Sequence, residues 1–392
     1  MSSQRYPVLL SLALLASYVA PVAAQLEDSE FIAFGDSITR GSSVFDRENK
    51  GGYPGRLQSR LRQEDPSAVV HNFGADGEIT QQGVSRVSNV LRQVNADAFL
   101  LLEGTNDINL VIEGLISFES IEANLAAIAG KAAATGHKIY YTTLLPRPPT
   151  AKLDSPNVLT FALSRALRDL AFRQQRNLVD VWDTIFYEPG RFPRLYDLAS
   201  SGGVGHPNAA GFSLMADTFF DAVTGRDTQD PVPGEISPAY NVATISAGTE
   251  IELVIYDFGA GIDRLATTLT INGLPVETEQ TGGTTKRTLT HTTTTETLSC
   301  FAKVGIQSSD LADPVNTANR VYKEFLVEGG RILRGDINRS CRVDGTDLLI
   351  VTVAFGARTG EPRYSLAADI TNDGVVDGRD IAEVASNFGN SS

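Results

Sequence analysis

The run Glu30-Phe31-Ile32-Ala33-Phe34-Gly35-Asp36-Ser37-Ile38-Thr39-Arg40 carries an apolar stretch, Phe31 to Phe34, straight into Gly35-Asp36-Ser37-Ile38. Apolar residues without polar alternation predict a strand buried on both faces. The glycine after it permits a tight turn into a helix, which places Ser37 at that helix's N-terminus, exposed for attack. The pattern recurs downstream, with strands expected at 31–34, 69–73, 98–102, 138–143 and 178–181. Between them, Val84, Val87, Leu91 and Val94, and then Ile121, Leu125 and Ile128, repeat at helical spacing. From residue 30 to about 225 this order predicts an α/β fold, a parallel sheet with helices on its faces.

Polar motifs follow the first three expected strands, and in a parallel sheet those positions open onto one crevice at the carboxyl ends. After Gly35-Asp36-Ser37-Ile38 come Asn72-Phe73-Gly74-Ala75-Asp76-Gly77 and Gly104-Thr105-Asn106-Asp107. Gly74 reads as a turn requirement, and Gly77 as a backbone N–H that can approach a reacting oxygen. Asn106 offers a side-chain amide donor. Asp36 and Asp107 read as carboxylates that hold loops rather than move protons. A serine needs a neighbouring base. Of the four histidines, His71 and His137 belong to strands or their approaches and His291 to a Thr-rich stretch. His206, in Gly205-His206-Pro207-Asn208, precedes a helical pattern from which a loop can return to the crevice.

Together these motifs resemble those of SGNH (GDSL-like) hydrolases, in the family's order, across residues 31 to about 222. The resemblance implies a three-layer α/β/α, flavodoxin-like domain and ester hydrolysis through an acyl-enzyme, with no catalytic cofactor. It implies Ser37 as nucleophile, His206 as base, and the Ser37 and Gly77 N–H groups with the Asn106 amide as oxyanion donors. The family's usual aspartate three residues before the histidine is here Gly203. Three readings stay open: Asp197 orients His206 from a longer loop, a backbone carbonyl does so, or the enzyme is impaired.

Residues 1–24 read as a signal peptide, because Arg5 precedes an apolar run from Val8 to Ala20 and Val22, Ala23 and Ala24 form a small-residue cleavage site. The run is too short to span a membrane, so the expected product is secreted, with a hydrolase domain over 25–226. A net charge of −14 in 392 residues, without a basic cluster, excludes nucleic acid as a partner. Cys300 and Cys341 are too few for a cysteine-rich zinc site; in an exported chain they either form one disulfide or stay apart.

Pro231, Pro233 and Pro238 mark a linker over 227–240, after which Thr, Val and Ile dominate and helical periodicity ends. An all-β sandwich is expected over 241–330, with strands at 250–254 and 268–271 and a turn at Asn272-Gly273. The stretch from 247 to 277, with YDFGAGID and LTINGLPV, resembles bacterial immunoglobulin-like modules. Further on, Asp336, Ile337, Asp344, Gly345, Asp347, Phe355 and Gly356 recur as Asp369, Ile370, Asp377, Gly378, Asp380, Phe388 and Gly389, each pair 33 residues apart. Oxygen-bearing side chains stand at loop positions 1, 3, 5, 9 and 12: Asp336, Asn338, Ser340, Asp344, Asp347, then Asp369, Thr371, Asp373, Asp377, Asp380. That spacing suits calcium, which takes six or more oxygens.

The loops resemble type I dockerin repeats, giving a small α-helical domain over 334–392. This resemblance implies structural calcium and a cohesin-type partner; a calcium-stabilised terminal module without a partner is the alternative. The leading function is therefore an esterase acting on acylated polysaccharide or other polymer-linked esters. Set against it are a lipase or thioesterase for small acyl esters and an inactive extracellular binding protein.

Overall fold

The structure is a computed structural model that describes residues 28–41, 51–148, 155–186, 194–197, 205–239, 244–331, 333–359, 361 and 363–392. The signal-peptide segment and Gly203 lie outside them. The first sheet contains β1 (Glu30–Gly35), β2 (Val69–Gly74), β3 (Ala98–Leu102), β4 (Lys138–Thr142) and β5 (Asn177–Val179), in the order β2-β1-β3-β4-β5. All pairs are parallel. β3, Ala-Phe-Leu-Leu-Leu, is buried throughout, as an interior strand covered on both faces must be. The expected fifth strand shifts: it begins at Asn177 and ends at Val179, and Val181 instead opens a helix.

The sheet is flanked by α1 (Ser37–Arg40), α2 (Gly52–Glu64), α3 (Thr80–Val90), α4 (Thr105–Ile112), α5 (Phe118–Ala133), α6 (Ser155–Arg173), α7 (Val181–Phe186) and α8 (Ala209–Thr224). Ile121, Leu125 and Ile128 form the buried stripe of α5, whose N-terminus Ser117 caps through its side chain. α3 stops at Val90, so Val94 of the expected apolar face reaches the core from beyond the helix. Chain order puts β2 and β3 on opposite sides of β1, and the crevice of a doubly wound sheet opens at such a reversal. Ser37 follows β1 there.

The next unit is a two-layer sandwich. One sheet runs β10-β9-β13-β14-β7, built from β7 (Thr244–Ile245), β9 (Thr268–Ile271), β10 (Leu274–Pro275), β13 (Phe301–Ser309) and β14 (Thr317–Val327). The other runs β11-β12-β8-β6, from β6 (Val232–Ser237), β8 (Glu250–Tyr256), β11 (Glu279–Gly282) and β12 (Lys286–Thr292). Ile251, Leu253, Leu269, Ile306 and Phe325 meet between them. The turn at Asn272-Gly273 forms with φ of 54° and 80°, the left-handed pair that two-residue hairpins require. The proline-marked stretch read as linker is corrected here: residues 232–237 form β6, an edge strand, where a proline removes no ladder bond on the open side.

Buried charges fasten the two units together. Arg168 donates to both Asp180 oxygens at 2.6 and 3.0 Å and to the Pro233 carbonyl of β6 at 2.5 Å. Arg320 of β14 reaches Asp183 and Asp230, and the Tyr256 hydroxyl donates to Asp169 at 2.7 Å.

The last unit carries the repeat. α9 (Gly345–Ala354) and α10 (Gly378–Asn387) pack over Val343, Val351, Val376 and Val384. Cys300 and Cys341 are bonded, with Cα atoms 5.6 Å apart, which ties the sandwich to the first acidic loop. Cys341 has φ 73°, the conformation that Gly374 adopts at the equivalent place in the second loop with φ 85°. A residue with a Cβ gives up about 1–2 kcal/mol there. The bridge spans a sequence separation of 41, and a loop of that length removes about 4 kcal/mol of unfolded-chain freedom. Cys341→Ala is therefore expected to lower unfolding stability by about 2–4 kcal/mol, read by denaturant titration of oxidised protein; an unchanged midpoint would show the bridge to be thermodynamically idle.

Candidate active site and acidic loops

Ser37 is the first residue of α1, and its neighbour Asp36, rather than Ser37 itself, is the cap, accepting from the Ile38 N–H at 2.8 Å. This leaves the hydroxyl of Ser37 available to a base. Ser37 Oγ lies 2.9 Å from His206 Nε2. The histidine is held by its own loop: Asn208 caps α8 through Ala210 N and Gly211 N, and its amide donates back to the carbonyls of Arg194 and Tyr196. Gly205, at φ 73°, sits where a Cβ would come within 2.3 Å of Pro148 Cδ, so the loop closes on the segment after β4. The Tyr196 hydroxyl donates to the Pro146 carbonyl on the same segment.

Asp197 runs antiparallel to the histidine, its N–H donating to the His206 carbonyl at 3.1 Å, with its side chain buried. Burial first, and the Arg147 charge after it, hold the His206 ring below the ordinary histidine range against the opposing pull of Asp76. The imidazole is thus neutral at pH 7, the form that can accept a proton.

The residues expected as oxyanion donors sit on the segments that follow β2 and β3. Gly77 has φ 69° with open space around its α-carbon, on the loop after β2. Asn106 lies in the first turn of α4 and spends one amide hydrogen on the Glu78 carbonyl at 2.8 Å, which fixes the side chain and leaves its second N–H. Asp107 accepts from Thr80 N and, at 2.6 Å, Thr80 Oγ1, tying the start of α4 to α3. Gly74 needs no special turn. A Cβ there would lie 2.1 Å from Arg40 N, so its role is close packing of β2 against α1.

Two buried side chains here carry no sequence signal that singled them out. Glu103, just before Gly104, has both carboxyl oxygens buried without a hydrogen-bond partner. Burial, then Glu78 and Asp36 nearby, push its pKa up to about 9. Burial likewise pushes Asp36 up to about 7, despite the Ile38 N–H. Arg147, after β4, reaches Asn109 Oδ1 at 2.7 Å and the Thr105 carbonyl, so it braces α4 from the histidine side.

The acidic loops share one internal design. Asp336 accepts from Ser340 N and Cys341 N, as Asp369 does from Asp373 N and Gly374 N. Asp347 accepts from Ile337 N, Asn338 N and Asp344 N, while Asp380 accepts from Thr371 N and Asp377 N. In each loop the first- and twelfth-position carboxyls are buried. Oxygen-only donor sets wound in this way fit a hard divalent cation, held by Asp336, Asn338, Ser340, Asp344 and Asp347 and by Asp369, Thr371, Asp373, Asp377 and Asp380.

The GDSL-like Lipase/Acylhydrolase family matches residues 33–214, and the type I dockerin domain matches residues 334–388. None of the curated proteins matches the chain. Among solved structures, an alpha/beta hydrolase enzyme from the metagenome of Lake Arreo, Spain, is similar at 21% identity and TM-score 0.42, covering 51% of this chain and 97% of its own. A lipase/acylhydrolase from Enterococcus faecalis stands at 19% and 0.41, covering 50% and 96%. A catalytic mutant of an acetylxylan esterase from Geobacillus stearothermophilus stands at 16% and 0.42, covering 52% and 96%. The chain is an ester-bond hydrolase, in which residues 33–214 belong to the GDSL-like lipase/acylhydrolases and residues 334–388 to the type I dockerin domains.

Proposed function

We propose that the chain is a secreted serine esterase that works through an acyl-enzyme and removes acyl groups from carbohydrate or other polymer-linked esters. The observation that carries the reaction is the 2.9 Å contact between Ser37 Oγ and His206 Nε2. As Ser37 attacks the acyl carbon, His206 takes its proton. The carbonyl oxygen, now an anion, meets the N–H groups of Ser37 and Gly77 and the free amide hydrogen of Asn106. Collapse expels the alcohol, which receives the proton from His206, and water repeats the sequence to release the acid. Asp197, alongside the histidine in the chain, is the side chain we assign to orienting it, with a loop carbonyl as the alternative.

Calcium in the C-terminal loops supplies the charge that lets their carboxyls pack together. That domain then offers a docking module for a cohesin-type protein. Support for the polymer substrate comes from this modular build, since an enzyme carried on a docking module works where its substrate is fixed. No helix among the described residues is long and apolar enough to cross a membrane. The expected division is a signal peptide over 1–24, hydrolase over 25–226, sandwich over 241–330 and calcium module over 334–392.

The test is hydrolysis of short acyl aryl esters beside acetylated polysaccharide. Ser37→Ala and His206→Ala should each lower kcat/KM by about 10³-fold or more, and Asp197→Asn should lower kcat with little change in KM. Full activity in the serine variant would defeat the reading. Because burial lowers the His206 pKa, the acid limb of kcat/KM should fall below the ordinary value of 6.5, and Asp76→Asn should move it slightly further down. A limb above 6.5 would contradict that environment. Glu103 binds a proton in the folded state that the unfolded chain releases, so its contribution is complete below 4.5 and drains as pH rises toward 9. Glu103→Gln should flatten the decline of Tm over that window, and parallel pH curves for the two proteins would refute a neutral Glu103.

A further inference from the structure

Where hydrolase and sandwich meet, Asp227, Asp257 and Asp310 each present a carboxylate oxygen within 4.8 Å of the others. They come from distant parts of the chain: the segment after α8, the end of β8 and the end of β13. Asp257 is only 4% exposed. Its Oδ1 accepts from Gly259 N at 2.8 Å and Gly261 N at 3.2 Å, while its Oδ2 is buried with no partner. Asp227 accepts from Ala260 N and, at 3.4 Å, from Gln229 N. Asp310 accepts from the backbone of Ala312 and Asn316 and from the Asn316 amide. None of the three pairs with a lysine or arginine among the described residues. Arg320, which bridges the two units, pairs with Asp183 and Asp230.

Three carboxyls gathered in a buried spot without a counter-charge repel one another and resist desolvation. Hydrogen bonds satisfy some of the oxygens. They supply no net positive charge.

We propose that Asp227, Asp257 and Asp310 hold a calcium ion that clamps the hydrolase domain to the sandwich. The donors are all oxygen, with no histidine or cysteine, which selects a hard cation. Oxygens bound to calcium at about 2.3–2.6 Å span up to about 5 Å across the ion, whereas magnesium at about 2.0–2.1 Å spans about 4 Å. The three oxygens lie within 4.8 Å of one another, inside the span that the ligands of a calcium ion cover. Access is open: Asp227, Asp257 and Gly259 line a cleft of about 840 Å³ with Lys138 and Asn177, at the end of the sheet away from Ser37.

The C-terminal loops bind calcium independently, so the experiment uses the full chain with those loops disabled by Asp336→Asn and Asp369→Asn. After chelation, equilibrium dialysis should find this chain still taking up a single equivalent of calcium, and Asp257→Asn added to it should weaken that uptake at least tenfold. Asp227→Asn, at a partly exposed position, should do the same if the buried substitution prevents folding. Calcium should also slow proteolysis between the hydrolase and the sandwich in the loop-disabled chain, and fail to do so once Asp257→Asn or Asp227→Asn is added. Absence of calcium uptake by the loop-disabled chain, or equal affinity in the Asp257 and Asp227 variants, overturns the site. Displacement by an equal concentration of magnesium overturns the choice of ion.

Discussion

A hydrogen bond between residues 169 positions apart, from Ser37 to His206, sets the requirement the hydrolase domain meets. One end is fixed by the sheet, since β1 lies between β2 and β3 and delivers Ser37 to the point where chain direction reverses. The other end depends on a loop with no strand behind it. Asn208 at the start of α8, Gly205 against Pro148 and the Tyr196 hydroxyl on the Pro146 carbonyl take the strand's place. The Ser37–His206 geometry is thus half sheet and half loop packing.

Beneath the serine the protein tolerates an acidic floor of Asp36, Glu78, Glu103 and Asp107. A buried carboxyl without a cation is costly in its charged form, and different devices deal with that cost. Asp107 is sheathed in donors from Thr80, Glu78 pairs with Arg86 at 2.6 Å, and Glu103 holds its proton. Such a floor gathers four carboxyl groups close to Ser37. His206 owes its neutrality to burial.

Much of this was legible in the amino-acid order. Four of the five strands were legible to within a residue at either end, most plainly β1 and β3, interior parallel strands with no polar face to confuse the reading. The serine, the histidine and the acidic repeat stood out because each is tied to a short local motif. What escaped was non-local. Residues 232–237 looked like linker because proline content is a local property, while the edge of a sheet is not. Glu103 and Arg147 look like any charged residue until burial is known. The Asp227, Asp257 and Asp310 group exists only through the meeting of two folded units. Gly74 was read as a turn because its contact partner, the backbone of Arg40, lies on another element.

The first acidic loop is stitched to the sandwich by more than chain continuity. Besides the Cys300–Cys341 bond, Lys303 Nζ donates to the Asn338 carbonyl at 2.5 Å and Arg339 pairs with Glu324. A pull applied to the C-terminal module is therefore delivered sideways into β13 and β14, and not along the short stretch that follows Val327. Strands loaded in this way share tension across a hydrogen-bonded ladder. The sandwich and the C-terminal unit then move together as one lever, with a fixed angle between them in place of the free swing of a slack tether.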